Sequence, residues 1–198
     1  MNRKITREQW LQHAVTLLRR DMAKRDVVVP PVKVSCSWPG GGDSQKRIGE
    51  CWPTQASKAG INELFISPKL ADPARVVGVL LHELAHAVDN CKNGHKAAFV
   101  AIGGKMGMEG KPTQMQPPVE KAQAWAAKLV KKHGPFPHAT LDKSKSPVKP
   151  QTNRQIKVEC GDCGAIWRMS QKHIEHVTCC PCCNSEDIAV EAKEADES

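Results

Sequence analysis

Apolar residues recur at helical spacing in three stretches of the chain and cluster into short runs in three others. Trp10, Leu11, Ala14, Val15, Leu17, Leu18 and Met22 fall on one face of a first helix that runs to about Lys24. Thr6 with Gln9 forms a capping box at its start, and His13 lies opposite the stripe, on the solvent side. Val32 to Cys36, Ile48 to Trp52 and Leu64 to Ser67 read as three short strands, separated by segments rich in Gly, Pro, Ser and Asp. The Pro-Gly-Gly-Gly run at 39–42 predicts a hairpin connection; no Gly-Lys-Ser/Thr follows it, so it is not a phosphate loop.

Asp72 and Pro73 suit the cap and first turn of a second helix, and Gly94 marks an exit from it. Lys96 to about Met106 predicts a short helix containing Gly103 and Gly104. Val119 to Lys132 predicts another, with Val119, Ala122, Trp125, Ala126, Leu129 and Val130 buried. From Gly134 to Thr152 the chain is rich in Pro, Lys and Ser without periodic apolar positions, the composition of a linker. A chain of 198 residues can form one domain with its own core plus a small module. The expected division is a first domain over 1–138, a basic linker over 139–155, a cysteine module over 156–190 and an acidic tail over 191–198.

The second helix carries the candidate chemistry. His82, Glu83 and His86 stand in the run HELAH, and residues four apart share a helix face. With His82 at 0° and about 100° per residue, His86 falls near 40°, whereas Leu80, Leu84, Val77, Val88 and Leu81 fall at roughly 160 to 260°. Two imidazoles on one face can hold a metal while the adjacent carboxylate takes a proton from water at an open coordination position. Gly78 and Ala85 flank the histidines with small side chains, leaving room for a third ligand or a substrate segment. His95 is the favoured third ligand, because three neutral histidines suit catalytic zinc and Gly94 permits a sharp turn. Asp89, Glu109 and Glu120 compete for that role, and Asp89 otherwise suits a supporting position behind the ligands. Cys91 falls near 180° on the same wheel, on the core face. The chain has no Tyr, so the oxyanion of an attacked carbonyl would be met by backbone amides, a basic side chain or the metal.

Six of the nine cysteines lie between positions 160 and 183 in pairs spaced for metal, which points to zinc in a reducing compartment rather than to disulfides. Cys160 and Cys163 make the first C-x-x-C turn; Cys180 and Cys183 make the second, with Cys179 and Cys182 as the alternative register. Asn184 can take the turn conformation that Gly often supplies, and His173 and His176 are expected in an exposed connection. Such a closed site is structural. The net charge is +8, and residues 121–157 hold nine Lys or Arg against one acid. Lys121, Lys128, Lys131 and Lys132 on one side of the last long helix, with Lys143, Lys145, Lys149 and Arg154 beyond it, make a candidate phosphate-binding stripe and point to DNA as partner. No apolar run approaches the length of a membrane span and no apolar signal region follows the charged N-terminus, so a cytoplasmic protein is expected, nucleoid-associated if it binds DNA. A monomer is the separate expectation for its oligomeric state.

Together these residues resemble the SprT family of zinc metalloproteases, which includes the Spartan-type DNA-dependent proteases. The likeness runs through Trp10-Leu11, Trp38-Pro39, Ile48-Gly49-Glu50-Cys51-Trp52, Phe65-Ile66-Ser67-Pro68, HELAH, Gly94-His95 and Phe99, and resumes at the cysteine turns. It implies a compact α+β, zincin-like domain followed by a zinc ribbon, with His82, His86 and His95 as zinc ligands and Glu83 as catalytic acid/base. It also implies hydrolysis of proteins bound or crosslinked to DNA. The gap between the second and third histidines is shorter here than in Spartan. The competing expectation is a nucleic-acid-binding or transcription-associated zinc protein whose peptidase-like domain is only a scaffold.

Overall fold

The computed structural model describes residues 5–41, 47–142, 145 and 155–191, and the chain divides into two compact units, 1–145 and 146–198. The fold is mixed α+β. In the first unit, helix α1 (Arg7–Ala23) is followed by strands β1 (Val32–Cys36), β2 (Gly49–Trp52) and β3 (Asn62–Ile66). Helices α2 (Pro73–Val88), α3 (Ala97–Met106) and α4 (Val119–His133) complete it. Thr6 accepts from the Gln9 amide while the Gln9 side chain accepts from the Thr6 amide, so both halves of the capping box form. Asp72 caps α2 through the Arg75 amide at 2.7 Å, with Pro73 in the first turn.

The sheet order is β1-β3-β2. β1 lies parallel to β3, Val34 opposite Leu64, and β2 lies antiparallel to β3, Cys51 opposite Leu64. The expected hairpin at 39–42 is therefore corrected: β1 and β2 are opposite edges of the sheet, and residues 39–41 form a short helical turn between them, Gly42 lying outside the described residues. The gap from Cys36 to Gly49 is too long for the two- to five-residue connection of a tight hairpin. β3 takes the centre because Asn62, Leu64 and Ile66 alternate inward to complete burial, with partners on either side.

Trp10, Leu11, Leu18, Leu64, Ile66, Leu80, Leu81, Leu84, Phe99 and Met106 form the heart of the core, fully buried between α1, the sheet and α2. α2 is enclosed on all sides: every residue from Val76 to Ala87 is buried, because β2, β3, α3 and α4 all pack on it. On α4, Ala122, Trp125, Ala126 and Leu129 are buried as expected, but Val119 is 65% and Val130 36% exposed, at the edges of the contact face. The segment read as linker from Gly134 onward begins as part of the unit. Trp10 donates to the Gly134 carbonyl (3.0 Å), Phe136 is buried against Trp10, and His138 and Leu141 donate to the Pro68 carbonyl at 2.8 and 2.9 Å. A single apolar residue without periodic neighbours gives no helix or strand signal, which is why Phe136 is invisible to a pattern search.

The second unit contains an antiparallel sheet of order β5-β4-β6, built from β4 (Ile156–Cys160), β5 (Ile166–Met169) and β6 (Ile188–Val190), with a one-turn helix α5 (Gln171–Ile174). Its apolar interior amounts to Ile156, Val158, Cys160 and Cys180. So small a core leaves folding to be supported by other bonds. Among the described residues no helix is long and apolar enough to cross a membrane.

Candidate metal centres and the cleft around them

α2 presents His82 and His86 on one face, and the chain turns back after Val88 to bring His95 against them. The return is tight: Asn90, Cys91 and Gly94 all adopt left-handed backbone angles (φ +55°, +59° and +51°), and the Cys91 amide donates to the His86 carbonyl at 2.8 Å. Asn90 holds the turn in place. Its side-chain oxygen accepts from the Thr54 amide (2.8 Å) and from Asn62 (3.0 Å), and its NH2 donates to Thr54 Oγ1 (3.0 Å) and to Gln55 (3.2 Å).

His95 Nε2 then lies 3.1 Å from His82 Nε2 and 3.2 Å from His86 Nε2. Ligand nitrogens about 2.0–2.1 Å from a tetrahedral zinc ion stand roughly 3.3 Å apart, close to these separations. His82 Nδ1 sits 3.0 Å from the Met115 carbonyl, which can only accept, so Nδ1 carries the proton and Nε2 keeps its lone pair. Burial holds all three imidazoles below the ordinary histidine range; His86, with His82 and His95 adding repulsion, is lowered to about 3. Neutral rings with lone pairs converging on one point are a donor set for a cation. Phe99 closes the back of the cluster, its ring stacked on His86 (4.2 Å between centroids), tilted against His82 and edge-on to His95.

Glu83 is 5% exposed, and burial pushes its carboxyl up to about 8; nearby Cys91 and Glu50 push the same way and Arg47 opposes them. Its end rests on β2 at Gly49, where an added Cβ would come 2.4 Å from Glu83 Oε1 and 2.7 Å from Val79. Glycine is required there for strand and helix to approach. An open cleft of about 850 Å³ fronts the cluster, lined by β2, by Arg75 and Val79 of α2, by the His95 loop and by residues 113, 114 and 116.

The space beside Gly78, expected to admit a third ligand or substrate, is instead occupied by Gln116, whose Oε1 would lie 2.5 Å from a Cβ at that position. Cys91 also departs from expectation. The helix ends at Val88, so the wheel does not extend to it; its thiol turns toward β2, 3.3 Å from Cys51 Sγ, and both cysteines line the cleft. Asp89 accepts from Asn93 (3.0 Å) while its Oδ1 is buried without a hydrogen-bond partner, and Glu109 pairs through its backbone with Gln116. Neither joins the histidine cluster, nor does Glu120: among the described residues that cluster is His82, His86 and His95. Sequence reasoning missed the support given by Phe99, Met115, Gln116 and Asn90. Of these only Phe99 left a usable trace, one helical turn beyond His95 at the start of α3.

In the second unit Cys160, Cys163, Cys180 and Cys183 bring their sulfurs within 4.8 Å of one another, with 3.6 Å between Cys160 and Cys183 and between Cys163 and Cys180. Sulfurs about 2.3 Å from a tetrahedral ion stand roughly 3.8 Å apart, so this cluster too can hold a metal. Cys179 and Cys182 are exposed and outside it, and the exposed His173 and His176 take no part. The two turns are built alike: Gly164 (φ +68°) and Asn184 (φ +61°) each stand four residues after the first cysteine in left-handed conformation, and each amide returns to that cysteine's carbonyl.

Of the candidate phosphate-binding residues, Lys128, Lys131 and Lys132 are exposed on α4, and Lys128 and Lys132 share a face with Lys121. Lys121 lies over the Trp125 ring at 5.1 Å. Lys145 is exposed, 3.7 Å from Asp142, and Lys143, Lys149 and Arg154 lie outside the described residues. No protein-family description, curated protein or solved structure matches the chain.

Proposed function

We propose that the chain is a zinc-dependent metallopeptidase, associated with DNA and acting on proteins bound or crosslinked to it. The observation that carries this reading is the convergence of His82, His86 and His95 Nε2 atoms at 3.1–3.2 Å, next to a buried Glu83 and open to a cleft. Three protein ligands with one side accessible is the arrangement of catalytic rather than structural metal. A divalent ion held there supplies Lewis-acid polarisation of a peptide carbonyl and makes water a nucleophile near neutral pH.

The chain's own residues do the rest. Glu83 takes a proton from water in the cleft and returns it to the leaving amine. Backed by Gly49 and Val79, its carboxylate has little freedom to swing away. His82 is held in one tautomer by Met115, and Phe99 keeps water from the back of the imidazoles. β2 is an edge strand along the cleft, and an extended peptide can pair with such an edge, presenting its carbonyl to the histidine face. Lys121, Lys128 and Lys132 give α4 a basic face for phosphates, and the four-cysteine unit is a structural zinc ribbon. The resemblance to the SprT family supports the same substrate class.

The test is cleavage of a DNA-bound basic protein by the purified chain, with and without single-stranded DNA, comparing wild type with Glu83→Gln. Cleavage that requires both DNA and Glu83 is expected. If the two proteins bind DNA alike and neither cleaves, the scaffold reading replaces this one.

A further inference from the structure

Two thiols in the cleft have no part in that chemistry. Cys51 on β2 and Cys91 in the turn after α2 are half-buried free cysteines, their sulfurs 3.3 Å apart. They are forty residues apart in sequence, and several independent features bring them together. The fold accepts left-handed angles at two successive non-glycine residues, Asn90 and Cys91, a conformation L side chains rarely adopt. Four hydrogen bonds of the Asn90 side chain pin that turn, three to Thr54 and Gln55 after β2 and one to Asn62 at the start of β3, and the Cys91 thiol also reaches the Cys51 carbonyl at 3.4 Å. Both thiols line the cleft, so small oxidants reach them.

We propose that Cys51 and Cys91 form a peroxide-sensitive dithiol whose oxidation to a disulfide latches the His95 loop onto β2. A side-chain movement of little more than 1 Å brings the sulfurs to the bonding distance of about 2.05 Å. With a hydroperoxide as oxidant, one cysteine attacks the O–O bond and becomes a sulfenic acid, releasing water or an alcohol. The other sulfur then displaces its hydroxyl, closing the S–S bond and releasing a second water. Two electrons leave the thiol pair, one from each sulfur, and reduce the peroxide. The bond would fasten the turn four residues before His95 to the strand that backs Glu83, restricting the loop that carries the third histidine. This inference rests on His82, His86 and His95 holding an ion and not on what the ion does.

The full-length, metal-loaded chain is reduced, treated with one equivalent of hydrogen peroxide, alkylated and mapped by mass spectrometry. The expected product is a peptide pair joined through Cys51 and Cys91, lighter by two hydrogen atoms and restored by dithiothreitol. Ion release to a chromogenic chelator should slow by about tenfold in the oxidised protein, the scale on which groups supporting metal ligands act. The relevant phase is the one missing from His95→Ala. Cys51→Ser and Cys91→Ser should each abolish the slowing, whereas Cys36→Ser retains it. Persistent alkylation of both cysteines after peroxide overturns the proposal, as does a crosslink that leaves ion release unchanged; neither result needs a variant to fold. A chain that forms the crosslink and keeps its ion but cleaves nothing would count against hydrolysis and leave the latch standing.

Discussion

Replacing Glu83 with Gln should do opposite things to activity and to stability. The carboxyl is held near pKa 8 in the metal-free fold, against 4.5 for a free side chain, chiefly by burial. Because the folded value is the higher one, the folded state binds more protons than the unfolded state between about pH 4.5 and 8, so stability falls as pH rises through that window. At pH 7 the difference of about 2.5 units corresponds to roughly 3 kcal/mol of stability forgone. Gln cannot ionise and is nearly the same size. Metal-free Glu83→Gln should therefore match wild type near pH 4 and exceed it by up to about 3 kcal/mol at pH 7, several degrees or more in Tm for a unit of this size. Urea unfolding of chelator-treated protein across pH 4–8 measures this, with the buried Trp10 and Trp125 as fluorescent reporters. A bound divalent ion favours the carboxylate and should narrow the gap. If wild type and variant lose stability in parallel over the whole range, burial does not hold the Glu83 carboxyl neutral in the metal-free fold and the reasoning above fails.

Gly49→Ala should destabilise the first unit by about 1–3 kcal/mol, since the added methyl meets both Glu83 and Val79, and turnover should fall with it; denaturation and peptidase assays read the two effects. Phe99→Ala removes the ring behind three imidazoles and should lower stability by about 3–5 kcal/mol and weaken metal retention at the histidines, measured by unfolding and by competition with a chelator. Cys180→Ser should abolish metal binding and order in the second unit, while Cys179→Ser leaves both intact; metal content and amide exchange over 155–191 distinguish the two cysteine registers. Binding to single-stranded DNA should weaken steeply with salt, and replacing Lys128 and Lys132 by Gln should flatten the slope by roughly one to two phosphate contacts.

Local signals in the sequence are the reliable ones. Thr6 with Gln9, Asp72 with Pro73, and Asn184 each act within a few residues, so composition alone exposes them. The helical spacing of His82 and His86 fixes a shared face, and Gly94 permits a return of His95; the loop does bring the three nitrogens together. What could not be read depends on contacts made across the fold. The parallel pairing of β1 with β3 follows from which strand buries both sides, not from chain order. The notch at Gly78 looks like space for a ligand because nothing near it in sequence announces Gln116. Cys91 falls on the core face only if the helix is extended past its end, and the two left-handed residues that redirect it carry ordinary side chains.

The segment between α3 and α4 carries a consequence for any attempt to transplant this site. A single antiparallel bridge, Glu109 with Gln116, sets its register. In that register the Met115 carbonyl meets His82, the Met115 side chain fills the notch at Gly103, and the Gln116 side chain covers Gly78. Removing one residue from this loop would reverse the alternation and withdraw all three contacts at once. A helix bearing HELAH, grafted with its returning histidine onto another scaffold, would lack the carbonyl that selects its tautomer; the smallest portable form of the centre extends to residue 116.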